Sequence, residues 1–418
     1  MNGMNFLEKM LDGAAVEWKP LGDLGDLIRG NGLQKADFTE SGVPAIHYGQ
    51  IYTYYGLSTT STKSFVSPET ATKLRKVDKG DVVITNTSEN LEDVGKALVY
   101  FGEQQAVTGG HATIFKPCRN ILGKYFAYFT QTSVFTSEKR KYAKGTKVID
   151  VSATDMAKIQ IPIPCPDNAD RSLAIQSEIV RILDTFTELT TELTTELTLR
   201  QKQYEYYRDR LLTFEEGEVE WKDLGEIGQV RMCKRILKSQ TSSEGDIPFY
   251  KIGTFGKEPD AYISKSLFEE YKSKYSYPKI GEILISASGT IGRTVIFDGE
   301  DSYFQDSNIV WIENDESVVL NKFLFYFYQI AKWGASVGGT IQRLYNDDLR
   351  KLSIPIPYPS NPQKSLEEQA HIVAILDKFD TITNSISEGL PREIALRQQQ
   401  YEYYRDLLLS FPPPLTPP

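Results

Sequence analysis

The sequence predicts an α+β protein with two mixed, mostly-β globular domains joined by two long antiparallel helices, the halves being related by an internal duplication and a pseudo-two-fold axis. Three observations support this fold class. Each half contains a long stretch with apolar residues at helical spacing. Before each of these lies a longer stretch of short β-rich runs separated by glycine and polar turns. The segments of the first half then return in the same order in the second half, which indicates a tandem duplication.

The duplicated segments differ in how closely they match. LRQKQYEYYRDRLLTF (199–214) returns as LRQQQYEYYRDLLLSF (396–411), with 13 of 16 positions identical. Three further segments return: QSEIVRILDTF (176–186) as QAHIVAILDKF (369–379), KIQIPIPCP (158–166) as KLSIPIPYP (351–359), and VEWKPLGDLG (16–25) as VEWKDLGEIG (219–228). The globular parts between them barely align. Near-identical helices indicate one task performed twice, whereas divergent globular parts indicate two versions of a related task.

Within the globular parts, short runs rich in β-branched and aromatic residues predict strands, and two aromatic segments predict small helices. The strand candidates are DVVIT, ALVYF and ATIFK in the first half and EILIS, TVIFD and NIVWI in the second; the helix candidates are GKYFAYFTQT and NKFLFYFYQI. The IPIP motif has proline at every second position, which excludes helix and central strand and predicts an extended exit segment.

Two long helices are predicted, over residues 173–214 and 366–411. Their matching apolar stripes favour an antiparallel coiled-coil spacer, with a globular domain at the start of each helix. Gly389 and Pro391 predict a kink or an interruption of the second helix, and residues 5–11 predict a short helix beside its end. The domain plan is 1–15 N-terminal helical segment, 16–167 first globular domain, 168–216 central spacer helix, 217–361 second globular domain, 362–411 C-terminal spacer helix and 412–418 disordered proline-rich tail.

The first long helix contains an uninterrupted tetrad repeat, TELTTELTTELT, at residues 187–198. A period of four is close to one helical turn, so Leu189, Leu193 and Leu197 lie near one face. The plain interpretation is an ordinary amphipathic helix; the sharper one is that the repeat sets a length. Leu199 follows Phe186 by 13 positions, whereas Leu396 follows Phe379, the corresponding pair of the second half, by 17. This difference of four predicts helices that differ in length by one tetrad.

Composition and motifs exclude several classes of function. The 418 residues carry a formal net charge of −9, contain no long apolar run and begin with no signal peptide, so a soluble protein with no membrane association is expected. Three isolated cysteines fit a reducing cytosol and a cytoplasmic location. Gly95-Lys96 is followed by Ala97, so there is no phosphate-binding Walker loop, and the three histidines lack metal-ligand spacing. A non-catalytic binding or scaffolding chain is expected, and an unrecognised hydrolase is the weaker possibility.

As a set, the copied helices, the IPIP segments and the tetrads resemble the specificity subunit of type I restriction-modification enzymes over essentially the whole chain, closest to the type IC group. The resemblance implies that each globular part is a target recognition domain for one half of a bipartite double-stranded DNA sequence. It implies that the helices fix the spacing and dock two methyltransferase subunits, which methylate adenine N6 with S-adenosylmethionine. It further implies two motor-nuclease subunits that use ATP and Mg²⁺ for restriction in phage defence. This chain itself would bind no cofactor and no metal and would perform no catalysis.

Base recognition needs polar side chains that reach base edges, together with basic groups that hold phosphates. For any one residue an ordinary surface role is at least as good an explanation, but as groups the candidates favour DNA contact. His111 follows a Gly-Gly pair, where a polar contact fits better than a nucleophile system. The candidates are Asn86, Thr87, Ser88, Asn90, His111, Lys139, Arg140, Lys141 and Lys144 in the first domain, and Arg231, Lys234, Arg235, Lys238, Ser286, Ser288, Thr290, Arg293, Gln305, Asn308, Gln342 and Arg343 in the second.

The tyrosines near the helix ends are the candidates for partner binding. Tyr204 and Tyr206 point about 200° apart on a helix, so one face fills a seam and the other is exposed unless a partner covers it. The exposed face is expected to bind the methyltransferase, and packing against the chain's own domains is the open alternative. The tyrosines are Tyr204, Tyr206 and Tyr207 with their copies Tyr401, Tyr403 and Tyr404. The rival class for the whole chain is a non-enzymatic coiled-coil adaptor that binds two proteins.

Overall fold

The computed structural model describes residues 6–215, 217–334 and 343–412. The described residues form two compact units, one within residues 1–193 and 394–418 and the other within 194–393. Each unit therefore combines one globular domain with the beginning of one long helix and the end of the other. This grouping differs from a sequential division into domains and helices, because each long helix contributes to both units.

Among its described residues, the first unit contains fourteen strands, two of them formed by the entry and exit segments of the domain, and seven helices that begin in it. The last of these helices continues into the second unit, and the end of the second long helix also lies in the first unit. The strands are β1 Val16–Pro20, β2 Gly25–Arg29, β3 Phe38–Thr39, β4 Val43–Ile46, β5 Ser58–Thr59, β6 Ser64–Val66, β7 Arg75–Val77, β8 Val82–Thr85, β9 Thr87–Ser88, β10 Ala97–Tyr100, β11 Ala106–Thr108, β12 Ala112–Pro117, β13 Ile149–Asp150 and β14 Gln160–Pro164. The helices are α1 Phe6–Leu11, α2 Tyr48–Thr53, α3 Pro68–Lys73, α4 Gly123–Phe129, α5 Ser133–Tyr142, α6 Ala153–Met156 and α7 Ala169–Leu211, with 3-10 turns at Leu21–Asp23 and Lys35–Asp37.

The second unit repeats this plan, with nine strands among its described residues. Its strands are β15 Val219–Asp223, β16 Gly228–Arg231, β17 Ile247–Tyr250, β18 Tyr262–Ile263, β19 Ile283–Ser286, β20 Thr294–Ile296, β21 Tyr303–Phe304, β22 Ile309–Asn314 and β23 Ser353–Pro357. Its helices are α8 Leu224–Ile227, α9 Lys265–Lys274, α10 Asn321–Ile330, α11 Asn346–Arg350, α12 Pro362–Asn384 and the start of α13 Gly389–Leu408, with a 3-10 turn at Lys238–Gln240.

The sheets of the two globular domains correspond. The first domain has a sheet of order β2-β12-β8-β10-β5 and the second a sheet of order β16-β22-β19-β20. A further sheet in each domain contains one parallel pair, β4 with β11 in the first domain and β17 with β21 in the second. The IPIP segments form β14 and β23, and each pairs antiparallel with one VEW segment, β1 or β15. The predicted duplication and the mostly-β character of both domains are confirmed.

Each long helix is attached to its own domain by a buried glutamine near its start. Gln176 on α7 is fully buried; its Oε1 accepts from the backbone N–H of Leu122, at the start of α4, at 2.9 Å. Its Nε2 donates to the carbonyl of Asn120 at 3.0 Å. Gln369 on α12 makes the corresponding bonds to Leu320 and Val318 beside α10. The amide thus satisfies backbone groups that burial under the helix would otherwise leave unpaired.

A second attachment lies two turns further along each helix. Asp184 accepts hydrogen bonds from Tyr128 Oη and Lys124 Nζ, both at 2.7 Å. In the second unit Asp377 accepts from Tyr326 Oη at 2.6 Å and from Lys322. Burial and the neighbouring carboxylate raise the pKa of both tyrosines, which therefore stay neutral hydrogen-bond donors. The copied helix segments thus place the same glutamine and aspartate at the corresponding attachment points of the two domains.

In the first unit the C-terminal segment runs antiparallel to α7. Along α4 the contacts on α7 advance from residue 176 to residue 184. Over the same helix the aromatic contacts on the C-terminal segment go back, from Phe411 against Tyr125 to Tyr401 against Tyr128. The predicted N-terminal helix is present as α1, and its Leu7 shares a core with the end of α13. The antiparallel association of the two helices is thus seen directly within this unit.

The second long helix is interrupted, as Gly389 and Pro391 predicted. Helix α12 ends at Asn384, α13 begins at Gly389, and residues 385–388 are not helical. Gly389 has φ +72, and a Cβ atom there would lie 2.3 Å from the carbonyl oxygen of Thr381, so glycine is required. In a continuous helix the backbone N–H of residue 385 would bond to the carbonyl of Thr381. Gly389 instead lies close to this carbonyl, at the position that the next helical turn would occupy.

This interruption corrects the predicted difference in helix length. The second half has four more positions than the first between the aligned phenylalanine and leucine, and residues 385–388 are four non-helical positions. The number of helical positions is therefore the same in both halves. The prediction was wrong because it counted every residue between the aligned positions as helical. The first helix also begins at Ala169 rather than at 173 and ends at Leu211 rather than at 214.

The tetrads lie within α7, at the place where the helix passes from the first unit to the second. The leucines of the repeat are half-buried, and the glutamates at 188 and 192 are exposed. Threonine hydroxyls donate to the carbonyl four positions earlier, as in Thr190 to Phe186 at 2.9 Å and Thr198 to Thr194 at 3.0 Å. The threonines therefore bond to the helix backbone one turn earlier, so a further tetrad needs no new polar partner outside the helix.

Candidate DNA interface

The predicted polar loop of the first domain follows β8 and returns to β10. The backbone N–H of Thr85 donates to the carbonyl of Lys96 at 2.9 Å and that of Gly95 donates to Thr85 at 2.8 Å, which closes the loop. Asn90 is exposed, and its side chain caps the turn by accepting from the backbone N–H of Asp93 at 2.8 Å. The loop is thus a defined structure at the end of a buried strand.

Lys139 was predicted to contact phosphate at the surface, but it is buried and bonds to the backbone of this loop. Its side chain is 4% exposed, and Nζ donates to the carbonyls of Glu92 and Val94. Burial, together with repulsion from Lys96, lowers the pKa of Lys139 to about 8. The predicted cluster therefore divides, because Lys139 positions the loop while Arg140 beside it is exposed.

Other predicted contact residues in this loop are also buried. Asn86 is fully buried; its backbone N–H donates to the carbonyl of His111 and its Oδ1 accepts from Thr113 Oγ1 at 2.8 Å. Thr87 and Ser88 are 8% and 7% exposed. The Asn86 side chain therefore cannot reach a ligand at the surface as expected, because it belongs to the framework beneath the loop.

His111 is exposed, and the structure fixes its orientation from two sides. Its Nδ1 lies 2.8 Å from Thr87 Oγ1, and its ring packs on Tyr48 with centroids 4.7 Å apart. His47 packs on the same tyrosine at 4.6 Å. Burial and the nearby His111 lower the pKa of His47, which favours the neutral ring. Sequence reasoning missed Tyr48 and His47, since nothing in their spacing connects them with His111.

The corresponding loop of the second domain closes on itself. Ser286 is buried, and its Oγ donates to the carbonyl of Thr290 and accepts from the backbone N–H of Arg293. Arg293 Nη1 donates to the carbonyl of Phe255 at 3.0 Å. Ser286 was predicted as a contact residue, but its burial makes it part of the framework. Thr290 lies at the exposed tip.

Four more candidates lie around this loop. Ser288 Oγ donates to Asn308 Oδ1 at 2.9 Å. Gln305 Oε1 accepts from the backbone N–H of Ile252 at 3.0 Å, and Arg343 Nη2 donates to the carbonyl of Ser307 at 3.2 Å. The structure thus brings together Ser288, Asn308 and Arg343, which are far apart in sequence. The predicted Gln342 lies outside the described residues.

The predicted cations divide into paired and unpaired groups. Lys144 pairs with Asp155 at 3.0 Å, and hydrogen bonds from Lys158 and Lys144 hold the pKa of that carboxyl well below its usual range. Three more ion pairs join Lys141 with Glu138, Arg231 with Glu313 at 2.8 Å, and Arg235 with Asp306 at 3.0 Å. The Lys234 ammonium lies over the Tyr275 ring, 5.2 Å from its centroid. Within the described part of the chain, Arg140 and Lys238 are exposed and have no ion-pair partner.

The tyrosines of the copied helices fall into three environments. Tyr204 and Tyr401 are buried and their hydroxyls donate to Gln329 and Gln131 of the globular domains. Tyr206 and Tyr403 are 57% and 64% exposed. Tyr207 stacks on Phe379 at 5.5 Å and Tyr404 stacks on Phe186 at 5.1 Å, which places this pair in the seam between helices. Packing against the chain's own domains is therefore observed for Tyr204 and Tyr401, whereas methyltransferase binding by the exposed Tyr206 and Tyr403 stays a prediction.

Among the described residues, no group of three or more histidine, cysteine or acidic side chains is arranged to hold a metal ion. Within the same residues, every helix falls short of the length and apolar character that a membrane crossing requires.

These features agree with what the chain resembles. A family model described as the type I restriction modification DNA specificity domain matches residues 15–200 and 216–396. A protein of Haemophilus influenzae, itself provisionally assigned as a type I restriction enzyme specificity subunit, is 50% identical over 98% of this chain and 99% of its own. The EcoR124I/EcoR124II specificity subunit of Escherichia coli is 36% identical over 100% and 99%.

Two solved structures share the fold. The S subunit of a type I restriction-modification system from M. genitalium has a TM-score of 0.55 at 15% identity, over 97% of this chain and 98% of that one. A chain from a study of complex assembly and conformational transition of the type I R-M system has a TM-score of 0.59 at 17% identity, over 94% and 97%. At these identities the likeness shows the fold alone.

The chain belongs to the family of type I restriction-modification DNA specificity subunits. The prediction from the copied helices and tetrads is confirmed, and a 30% identity to the EcoprrI specificity subunit of Escherichia coli accords with the type IC group. Specificity subunits are the non-catalytic members of these systems, and the catalytic activities lie on other subunits. Specificity subunits of type I systems act in a complex with other subunits and bind DNA.

Proposed function

We propose that this chain directs a type I system to a two-part DNA sequence, each globular domain recognising one half. The observation that supports this is the repetition of one framework, a loop closed after β8 in one domain and after β19 in the other, with different side chains at its exposed end. A shared framework with different contacts suits two domains that bind the same kind of polymer at different sequences.

Phosphate contacts would supply much of the affinity and base contacts the specificity. Arg140 and Lys238 are suited to phosphate because they are exposed and their charge is not neutralised within the described part of the chain. The ion-paired cations are less suited, since a phosphate would have to compete with a carboxylate. A chain with net charge −9 therefore binds DNA through a few local cations, with additional basic surface supplied by its partners.

The helices would hold the two domains at a fixed separation and dock two methyltransferase subunits. Tyr206 and Tyr403 occupy equivalent positions in the two copied helices and are both largely exposed, so they offer two equivalent aromatic contacts. The partners would methylate adenine N6 in each half-site with S-adenosylmethionine, and two motor-nuclease subunits would use ATP and Mg²⁺ to cut unmodified DNA. The assembly would act in the cytoplasm.

Selection of bound DNA from a random duplex library, with the methyltransferase present, tests this proposal. The expected result is enrichment of two short sequence elements separated by a constant number of unspecified base pairs. The matched control is the double variant Arg140→Gln with Lys238→Gln. It should weaken binding to all duplexes and lower its salt dependence while the enriched elements stay the same. Recovery of two protein partners with no enriched sequence would contradict the proposal and favour an adaptor.

A further inference from the structure

The two domains place one residue pair at the same position of the shared framework. In the first domain the backbone N–H of Asn86 donates to the carbonyl of His111 at 2.8 Å, and the Asn86 carbonyl accepts from the N–H of Val151 at 3.0 Å. In the second domain Ala287 donates to the carbonyl of Asn308 at 2.7 Å and accepts from Leu344 at 2.8 Å. The strands on either side have matching register, since Ala112 pairs with Thr85 and Ile309 with Ser286. His111 and Asn308 are therefore structural equivalents.

The side chains at this position are held in the same way in both domains. The residue after the framework position is a hydroxyl amino acid in each case, Thr87 or Ser288. Thr87 Oγ1 lies 2.8 Å from His111 Nδ1, and Ser288 Oγ donates to Asn308 Oδ1 at 2.9 Å. A side chain that is locked at one polar atom presents its other polar atom in a fixed direction, which is the preorganisation that selective binding requires.

The polar atoms left over differ between the domains. His111 is exposed and its Nε2 has no partner among the described residues; Asn308 Nδ2 has none in the same part of the chain. The neighbouring position also differs: Asp150, which is ion-paired with Arg29 at 3.3 Å, lies opposite Thr87, whereas Arg343 lies opposite Ser288. A framework that is constant, with a changed polar group and a changed neighbour beside it, is what two domains of different sequence preference need.

We propose that His111 and Asn308 are specificity-determining residues, each contacting one base edge in the major groove of its own half-site. Thr87 and Ser288 are positioning residues that aim them. Asn308 offers the amide N–H together with a remaining lone pair of Oδ1, a combination that matches N7 and N6 of adenine. His111 offers the single position Nε2, so it discriminates through one hydrogen bond. The inference rests on the proposed function and assigns the position within each domain that sets the sequence.

The test is methylation mapping with the complex of the full chain and its methyltransferase, comparing wild type with His111→Asn and with the isosteric Asn308→Asp. His111→Asn should change the preferred base at one position of one half-site, lowering methylation of the original sequence about ten- to one-hundred-fold there. The other half-site should keep its sequence. Asn308→Asp should change the preferred base in the other half-site and leave the His111 half-site unchanged. It exchanges the amide donor for an acceptor and retains the bond from Ser288. Thr87→Val should relax discrimination at the His111 position and introduce no new preference.

The control is His371→Asn, the same exchange at an exposed position of α12. His371 lies outside the loops that carry His111 and Asn308, so both half-sites should be unchanged. Lower activity with unchanged base preference in His111→Asn would assign the residue a structural role and overturn the inference alone. A wild-type complex without a two-part sequence would overturn the proposed function and the inference with it.

Discussion

Removing one tetrad, residues 191–194, should shorten the unspecified spacer of the DNA target and leave both half-sites unchanged. The deletion lies within α7, which continues without interruption from Ala169 to Leu211. It removes one copy of a repeat whose threonines bond within the helix and whose leucines recur at each fourth position, so the stripe and the internal hydrogen bonds are regenerated. The helix is therefore expected to fold with one turn fewer.

The size of the effect follows from helix geometry. Four residues correspond to about 6 Å of rise and about 40° of net rotation. One base pair of DNA corresponds to about 3.4 Å and about 35°. The rise alone would change the spacer by about two base pairs and the rotation alone by about one. A loss of one or two base pairs is therefore expected.

The assay is methylation mapping of DNA from cells that carry the deletion variant with the methyltransferase. The structure supplies a matched control of equal size, deletion of residues 385–388, which removes the four non-helical positions between α12 and α13. Because that deletion leaves the number of helical positions unchanged, it should retain the original spacer. Altered half-sites at the original spacing in the 191–194 deletion would refute the reasoning. So would the same shortening in both deletions.

Three further predictions follow from the helices and the loop. The double variant Tyr206→Ser, Tyr403→Ser should recover much less methyltransferase on co-purification, because it removes two exposed aromatic side chains; unchanged recovery would contradict the docking role. Gln176→Leu should cost about 1–3 kcal/mol in thermal unfolding, since it leaves two buried backbone groups unpaired, whereas the exposed Gln201→Leu should cost little. Folding lowers the pKa of Lys139 to about 8 from 10.5, so the unfolded chain binds more protons between these values. The free energy of unfolding of the wild type, relative to that of Lys139→Met, should therefore rise from pH 8 to pH 10 in denaturant titrations. A difference that does not change with pH would show that the Lys139 ammonium is not buried in the folded state.

The repeated architecture was predictable because it is recorded in order and periodicity. The copied helix segments carry the glutamine and aspartate that attach each helix to its domain, and these side chains have the same partners in both units. Strand runs such as DVVIT and EILIS are wholly buried, which a continuous apolar run predicts. The interruption at Gly389 followed from its backbone freedom, but its length did not, because no local rule states how many residues leave a helix.

Within the candidate interface, the sequence predicted the loops but not which side chains face outward. Asn86, Lys139 and Ser286 are polar and lie in polar surroundings along the chain, yet all three are buried. The side chains of Asn86 and Lys139 bond to distant segments, and Ser286 lies in β19 opposite Ile309 of the distant β22. The pairing of Thr87 with His111 spans 24 positions and that of Ser288 with Asn308 spans 20, so only the strand register reveals them. Burial of a polar residue depends on such non-local partners, which composition and spacing do not specify.

The central claim, that one chain carries two DNA-recognising domains for one split target, is tested most directly by mapping adenine methylation in cells that express this chain with its methyltransferase. The account predicts one motif that depends on this chain, with a methylated adenine in each of two short elements and a constant unspecified spacer between them. A continuous motif, methylation in only one element, or a pattern that persists when this chain is removed would contradict it.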